Sequence, residues 1–307
     1  MEPTFWLVKS YYALIIKQKP TPILYTHAIV ELYPFSDLYE IITGMLEKII
    51  SFLQRETSAQ ALVLSGSRTG LVGDEYSDYD MYLYSTTPLD IGIRQELARL
   101  FSEKAEVGNS FFEDGDELLL HDGTPLDIMY RSLDWATEEI EQVWIKHRAR
   151  VGYTTATIHT IKNAQILFDR VGQFSRIQKQ VATPYPSELV QSIISKNYPL
   201  LRSKLMASYH EQLEKALKRR DMVSQAHRSA ALLASYFDIL FALNRQTHPG
   251  EKQLVKWAVK SCSKLPVDFE TDIQHLVSHI GTPALLESVS HLLDHLDALL
   301  DEHHIQQ

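Results

Sequence analysis

Residues 64–83 read LSGSRTGLVGDEYSDYDMYL, and the organisation of the chain turns on how this stretch is taken. It begins at the end of an apolar run, Ala61 to Leu64, that Ser65-Gly66-Ser67 halts. A short apolar run closed by turn residues reads as a buried strand. The stretch leads into SDYDMYLYS, whose alternation and aromatic residues predict a second strand. Between them lies one of two things. It is an ordinary surface turn with a solvated strand start, or a phosphate loop followed by two ligands for a metal ion.

The residue types set out what the second option requires. Asp78 and Asp80 are two apart on a predicted strand, so both side chains leave the same face. Like charges so placed raise each other's proton affinity unless something positive sits between them. A divalent cation meets that need, and oxygen ligands favour magnesium or manganese. A third acid, Asp127, stands in the otherwise apolar TPLDIMY. A carboxylate there is costly unless it is paired or binds a metal. If that strand neighbours the first, three carboxylates converge, a set able to hold two magnesium ions roughly 4 Å apart for in-line phosphoryl or nucleotidyl transfer. Upstream, Gly66 lets backbone approach a phosphate, Ser67 offers a hydroxyl and an amide, and Arg68 offers a charged fork. A helix starting just after Ser67 would add free amides. Each piece alone has a plain structural explanation; the order strand, Gly-Ser, spacer, Asp-x-Asp, helix, hairpin, Asp is harder to treat as accident.

Working outward, Leu38, Ile41, Ile42, Met45, Ile49 and Ile50 predict a helix over 35–53, and Leu97, Leu100 and Phe101 another over 91–102. DELLLHDGTPLDIMYRS reads as a hairpin turning at Asp122-Gly123. After Leu133 helical patterns take over, with QILFD at 165–169 as the exception. The apolar residues of HRSAALLASYFDILFALNRQ cover most of a helix circumference, which predicts a central buried helix. ATPYPSE at 182–188 breaks the helices, because its two prolines forbid continuation. The expected fold is therefore α+β, mixed α/β in content. An extension (1–36) precedes a sheet domain with flanking helices (37–150), and a C-terminal helical bundle (151–307) follows.

The motif LSGSRTGLVGDEYSDYDMYL resembles the signature of the DNA polymerase beta-type nucleotidyltransferase superfamily, GSxxxG followed by DxD. It is most similar to the aminoglycoside and lincosamide nucleotidyltransferases and related small bacterial proteins, which join such a domain to a helical one. AQILFDRVG and FALNRQTHPGEK resemble stretches of the same branch. The clear resemblance covers about 61–130 and a weaker one reaches about 265. It implies that Gly66 and Ser67 hold nucleotide phosphates, that Asp78 and Asp80 bind magnesium, and that Asp127 is a further metal ligand or the general base. One departure stands out: the usual spacing puts the second glycine at Leu71, and this chain has Gly70 and Gly73.

Other chemistries find less support. The net charge of −9 does not advertise nucleic-acid or acidic-membrane binding. The single cysteine, Cys262, excludes an intramolecular disulfide and a cysteine zinc site, and it reads as a small buried hydrophobe in a cytoplasmic protein. The apolar N-terminal run is interrupted by Lys9 and ended by Pro20, so neither a membrane span nor a signal peptide is expected. GSRTGLVG is neither the dinucleotide fingerprint nor a P-loop, and Ser67 lacks the Gly-x-Ser-x-Gly setting of a hydrolase nucleophile. His275 with His279, and His291 with His295, have helical i, i+4 spacing that suits either a transition metal or solvated helix faces. The basic run EKALKRRD is a solvated helix end or a face for an anionic substrate. Lys252, in HPGEK at a predicted helix start, is either a surface lysine or a phosphate contact from the helical domain.

The expected activity is transfer of a nucleoside monophosphate from a nucleoside triphosphate, ATP first, to a hydroxyl of a small molecule, with two magnesium ions. A protein hydroxyl as acceptor, or a non-catalytic nucleotide-binding module, are the alternatives. The oligomeric state is not legible.

Overall fold

A computed structural model describes residues 35–66, 78–111, 113–203 and 207–303, with the backbone alone over 35–43. The chain divides between Phe52 and Leu53 into two compact units. The described part of the first belongs to helix α1 (Phe35–Arg55), close to the predicted span.

The second unit is mixed α/β. Its first part runs β1 (Ala59–Ser65), β2 (Tyr79–Ser85), α2 (Ile91–Phe101), β3 (Ser102–Asn109), β4 (Gly115–Leu120) and β5 (Pro125–Ser132). Helix α3 (Leu133–Ile140) begins where the sequence changes character, and a π-helical turn (Glu141–Ile145) extends it. Then come α4 (Ala156–Asn163), β6 (Gln165–Asp169), α5 (Gln173–Val181), α6 (Ser187–Leu201), α7 (Tyr209–Lys218) and α8 (Met222–Leu243). Helices α9 (Leu254–Ser261), α10 (Phe269–Ser278) and α11 (Leu285–Glu302) complete it.

The six strands form one sheet in the order β3-β4-β5-β2-β1-β6. Only β2 and β5 pair in parallel among the described strands. A parallel pair needs a long crossover, and α2, β3 and β4 make up the excursion between them. The hairpin turns where the sequence places it: Gly123 N–H donates to Leu120 O at 2.9 Å, with Gly123 at a φ of +81° that favours glycine. QILFD becomes β6 and closes the edge beside β1, so the sheet is completed from within the helical half.

β3 is the element the sequence conceals. SEKAEVGN is polar and charged, and an edge strand of that composition is guarded against pairing with other chains. It starts directly after α2, where Ser102 Oγ donates to Ala98 O at 2.6 Å and stops the helix.

Strand alternation sorts the side chains between two faces. Leu62, Met81, Leu83, Leu118, Leu126 and Ile128 are buried on one, which also carries the contact with α2 through Arg94. On the other, Ala61, Val63 and Tyr84 enter the same apolar core as α3 to α11. Tyr84 meets Phe174 of α5 with ring centroids 4.9 Å apart. Helix α8 is central as expected: every residue from Ser235 to Leu243 is buried. The proline-containing break separates α5 from α6. No described helix is long and apolar enough to cross a membrane.

Candidate active site

The three aspartates predicted from sequence fall at one end of the β1–β2–β5 ladder. Asp80 pairs in register with Asp127 across the parallel rung, and with Ser65 on its other side. Asp78 stands one residue before β2. The ladder continues outward through Glu117, opposite Asp127, to Glu106, opposite Glu117. Residues directly paired on neighbouring strands leave the same face. One rung of the sheet therefore reads Glu106, Glu117, Asp127, Asp80, Ser65. Charge of one sign is repeated across four strands, whereas facing pairs in an ordinary sheet alternate or avoid like charge.

Glu117 is the residue that sequence reasoning missed. The signal was present, because a hairpin turning at Asp122-Gly123 sets which residue of DELLL faces Asp127. Without that register, Glu117 reads as one more surface acid.

Gly66 is sharper in the structure than in the sequence. Its φ is +76°, and a Cβ built on it would lie 1.9 Å from Asp80 Oδ2 and 2.7 Å from Asp80 Cγ. No side chain fits there, so the glycine is what allows the Asp80 carboxylate to lie against the end of β1. Ser67 and Arg68, with the displaced glycines Gly70 and Gly73, lie outside the described residues. Lys252 lies in the connection between α8 and α9 and is exposed.

Further along the same face stands the guanidinium of Arg131. Arg131 is held between the rings of Tyr82 and Trp135, 4.4 Å from each centroid, and donates twice to Glu113 at 2.8 and 2.9 Å. Burial raises the Tyr82 hydroxyl well above its usual range; Arg131 opposes that shift, while Glu113 and Asp80 add to it. Tyr82 therefore stays neutral and contributes an amphipathic wall, not a base.

The donor set of the acidic rung is oxygen alone, the chemistry that suits magnesium rather than zinc or copper. Asp80 and Asp127, with Asp78 adjacent, are the residues that could hold such an ion. Among the described residues no group of three or more His, Cys, Asp or Glu side chains is gathered as a metal cluster. The pair in register is thus what the fold assembles of the three-acid set read from sequence.

Of the histidine pairs, His275 and His291 are exposed, while His279 and His295 bond to neighbouring helices. His279 Nδ1 lies 2.7 Å from Ser288 Oγ, and its ring stacks on His275. His295 turns to Asp272, 2.6 Å away. Asp294 and Asp297, on the helix that carries His291 and His295, pair with Arg202. In the basic run, Lys218 pairs with Glu214 one turn back at the surface. Cys262 is buried, and burial pushes its thiol up to about 11, which keeps it protonated and unreactive.

Residues 151–258 match a family described as a domain of unknown function, DUF4037. A search of curated proteins finds no match to the sequence. Among solved structures, the chain is similar to a nucleotidyltransferase-like protein from Exiguobacterium sibiricum, with 10% identity and a TM-score of 0.41 over 85% of this chain and 75% of that one. It is also similar to the Thermotoga maritima CCA-adding enzyme, solved in complex with tRNA, with 12% identity and a TM-score of 0.22 over 81% and 72% of the two chains. At such scores nothing about the chemistry of this chain rests on these likenesses.

Proposed function

We propose that this chain is a nucleotidyltransferase, moving a nucleoside monophosphate from a nucleoside triphosphate to the hydroxyl of a small molecule and releasing pyrophosphate. The observation that carries the reading is Asp80 facing Asp127 across the parallel rung, with Gly66 yielding space to the Asp80 carboxylate. Magnesium, held by Asp80 and Asp127 with Asp78, would screen the phosphate oxygens and the pyrophosphate as it leaves. Gly66, Ser67, Arg68 and Lys252 are the groups assigned to the triphosphate, which ATP is expected to supply. Glu117, or Asp127 opposite it where Asp127 does not hold the ion, is the carboxylate to take the proton from the acceptor hydroxyl as its oxygen bonds to the α-phosphorus. The proton goes to the carboxylate, and the bond to the β-phosphate oxygen breaks with its electron pair. Four acids on one rung favour an acceptor that is itself cationic, such as the aminoglycoside class.

The test is pyrophosphate release by the purified chain with magnesium, a panel of triphosphates and a panel of cationic and neutral hydroxyl compounds. Asp80→Asn is expected to lower turnover about a thousandfold, the scale of several kcal/mol in a charge clamp, while circular dichroism stays unchanged. Undiminished turnover in that variant would sink the assignment. A nucleotide mass appearing on a protein of a lysate, with every small acceptor silent, would move the acceptor to the protein class.

A further inference from the structure

Lys252 is carried by the connection between α8 and α9, and that connection is tied to α4 on both sides of the lysine. On the near side, His159 Nδ1 of α4 lies 3.1 Å from Thr247 O and 2.8 Å from Thr247 Oγ1. A carbonyl only accepts, so Nδ1 carries the ring proton and donates. One residue on, His248 N–H donates to Thr155 Oγ1 at 2.8 Å.

Thr155 occupies the N-cap position of α4, where a hydroxyl ordinarily accepts from its own helix's first turn. It makes no such bond; the hydroxyl serves the distant loop instead. His248 Nδ1 then accepts from Gly250 N–H at 3.2 Å, which folds the loop back two residues before Lys252. On the far side of the lysine, Trp257 of α9 meets the His159 ring edge-on, with centroids 5.2 Å apart.

Both imidazoles are shielded. The Tyr153 ring lies 4.7 Å from His248, and Phe241 closes another side at 5.2 Å. Burial lowers His159 to about 4 and His248 to about 3, so both remain neutral and keep these donor and acceptor roles. Helix α4 in turn joins the sheet: Ser65 Oγ, at the end of β1, donates to Thr160 O at 3.3 Å. Ser65 is the residue paired with Asp80. A continuous path of short contacts therefore runs from the acidic rung through α4 to the loop Thr247–Gly250, two residues before Lys252.

We infer that His159 and His248 are positioning residues for Lys252: they clasp its loop to α4 and so hold the ammonium toward the Gly66 end of β1, where a triphosphate would lie. This rests on the nucleotidyl-transfer reading given above, and it adds which groups aim the cation that meets the phosphates.

The experiment is a double-mutant cycle in the full chain, reading KM for the triphosphate and kcat separately. Lys252→Ala is expected to raise KM about tenfold, on the scale of one charge-assisted contact. His159→Leu should raise KM about fivefold with kcat within about twofold, and the double variant should be no worse than Lys252→Ala alone. His159→Asn, which keeps a donor near Nδ1, should restore most of the loss. Thr155→Val, which removes the acceptor for His248 N–H, tests the second tie without touching the first. Should His159→Leu fail to fold, Thr155→Val and His159→Asn carry the cycle. Additive losses, or an unchanged KM in the histidine and threonine variants, overturn the positioning role. Asp80→Asn measured alongside separates the two levels: if it retains turnover, the underlying activity is wrong, whereas if only it fails, the activity stands and the clasp does not.

Discussion

Asp116 and Glu117 are consecutive on β4, share a chemistry and face opposite sides of one sheet. Asp116 is almost wholly buried, and the chain completes it. Arg94 donates to it through Nε and Nη2, at 3.1 and 2.6 Å; Tyr130 donates its hydroxyl at 2.6 Å and Gly108 its amide at 2.8 Å. The Arg94 guanidinium also lies 4.0 Å over the Tyr130 ring. Glu117 stands instead in a rung where its neighbours on both sides, Asp127 and Glu106, bear the same charge. A carboxylate matched by the protein's own guanidinium is a fold element. A rung of repeated acids is the arrangement on which the proposed nucleotidyl transfer is built.

That contrast can be broken by experiment. The largest effect belongs to Asp116→Ala, which strands the buried Arg94 and should cost about 3–5 kcal/mol in urea unfolding. Its turnover per folded molecule should be unchanged. Glu117→Gln should show the reverse, with wild-type stability and about a hundredfold slower transfer, the lower end of the range for a proton-transfer group. If the two variants trade places, the division between the faces is wrong.

Gly66→Ala comes next. The added methyl at a positive φ should cost about 1 kcal/mol of stability. Displacing the Asp80 carboxylate should lower transfer about a hundredfold, the scale of an ångström of misplacement. Turnover that falls no further than stability predicts would show that Asp80 tolerates being moved.

The smallest expected effect comes from a third carboxylate, fully within the helical half. Asp238 accepts from Thr154 N and Oγ1 and from Asn197 Nδ2, at 3.0, 2.6 and 3.2 Å. Burial nonetheless raises its carboxyl from 3.8 to about 7. The folded state holds that proton after the unfolded chain has released it, so this group removes stability as pH rises from 3.8 to about 7. His159 and His248 act in the opposite sense. Their folded values lie below 6.5, so their neutral burial favours the fold above that pH and loses stability as pH falls toward 4. In Asp238→Asn the histidine slope is left unopposed. Stability should rise between pH 4 and 6.5 more steeply than in the wild type, by about 1 kcal/mol per pH unit. Chemical denaturation at three pH values checks this, and equal slopes would refute it.

Much of this was legible beforehand, and the exceptions share a cause. Asp80 was readable from its spacing to Asp78, and Asp127 because an acid in an apolar strand is a local anomaly. The hairpin was readable because Asp122-Gly123 is a local turn signal, and α8 because its periodicity lies within one segment. β3 was hidden because its strand state comes from β4 and not from its own residues. Glu117 needed a register, not a composition. The clasp of α4 on the Thr247–His248 loop joins residues 88 and 93 positions apart, and no window on the sequence contains both ends. His248 was passed over inside HPGEK for that reason. Gly66 was singled out for close approach to a phosphate; its closeness to the Asp80 side chain depends on the antiparallel pairing of β1 with β2.

The parallel pairing of β2 with β5 also sets an order of assembly. Asp80 and Asp127 are 47 positions apart, and α2, β3 and β4 lie between them. Closing so long a loop comes before any reward from the contact, which makes such pairings slow steps in folding. A nascent chain would carry Asp80 well before it could present the acidic pair. Because loop-closure entropy grows only slowly with length, insertions in the excursion at Asp122-Gly123 should be tolerated, provided that β5 still docks on β2. Variation in that excursion would then leave the two aspartates facing each other.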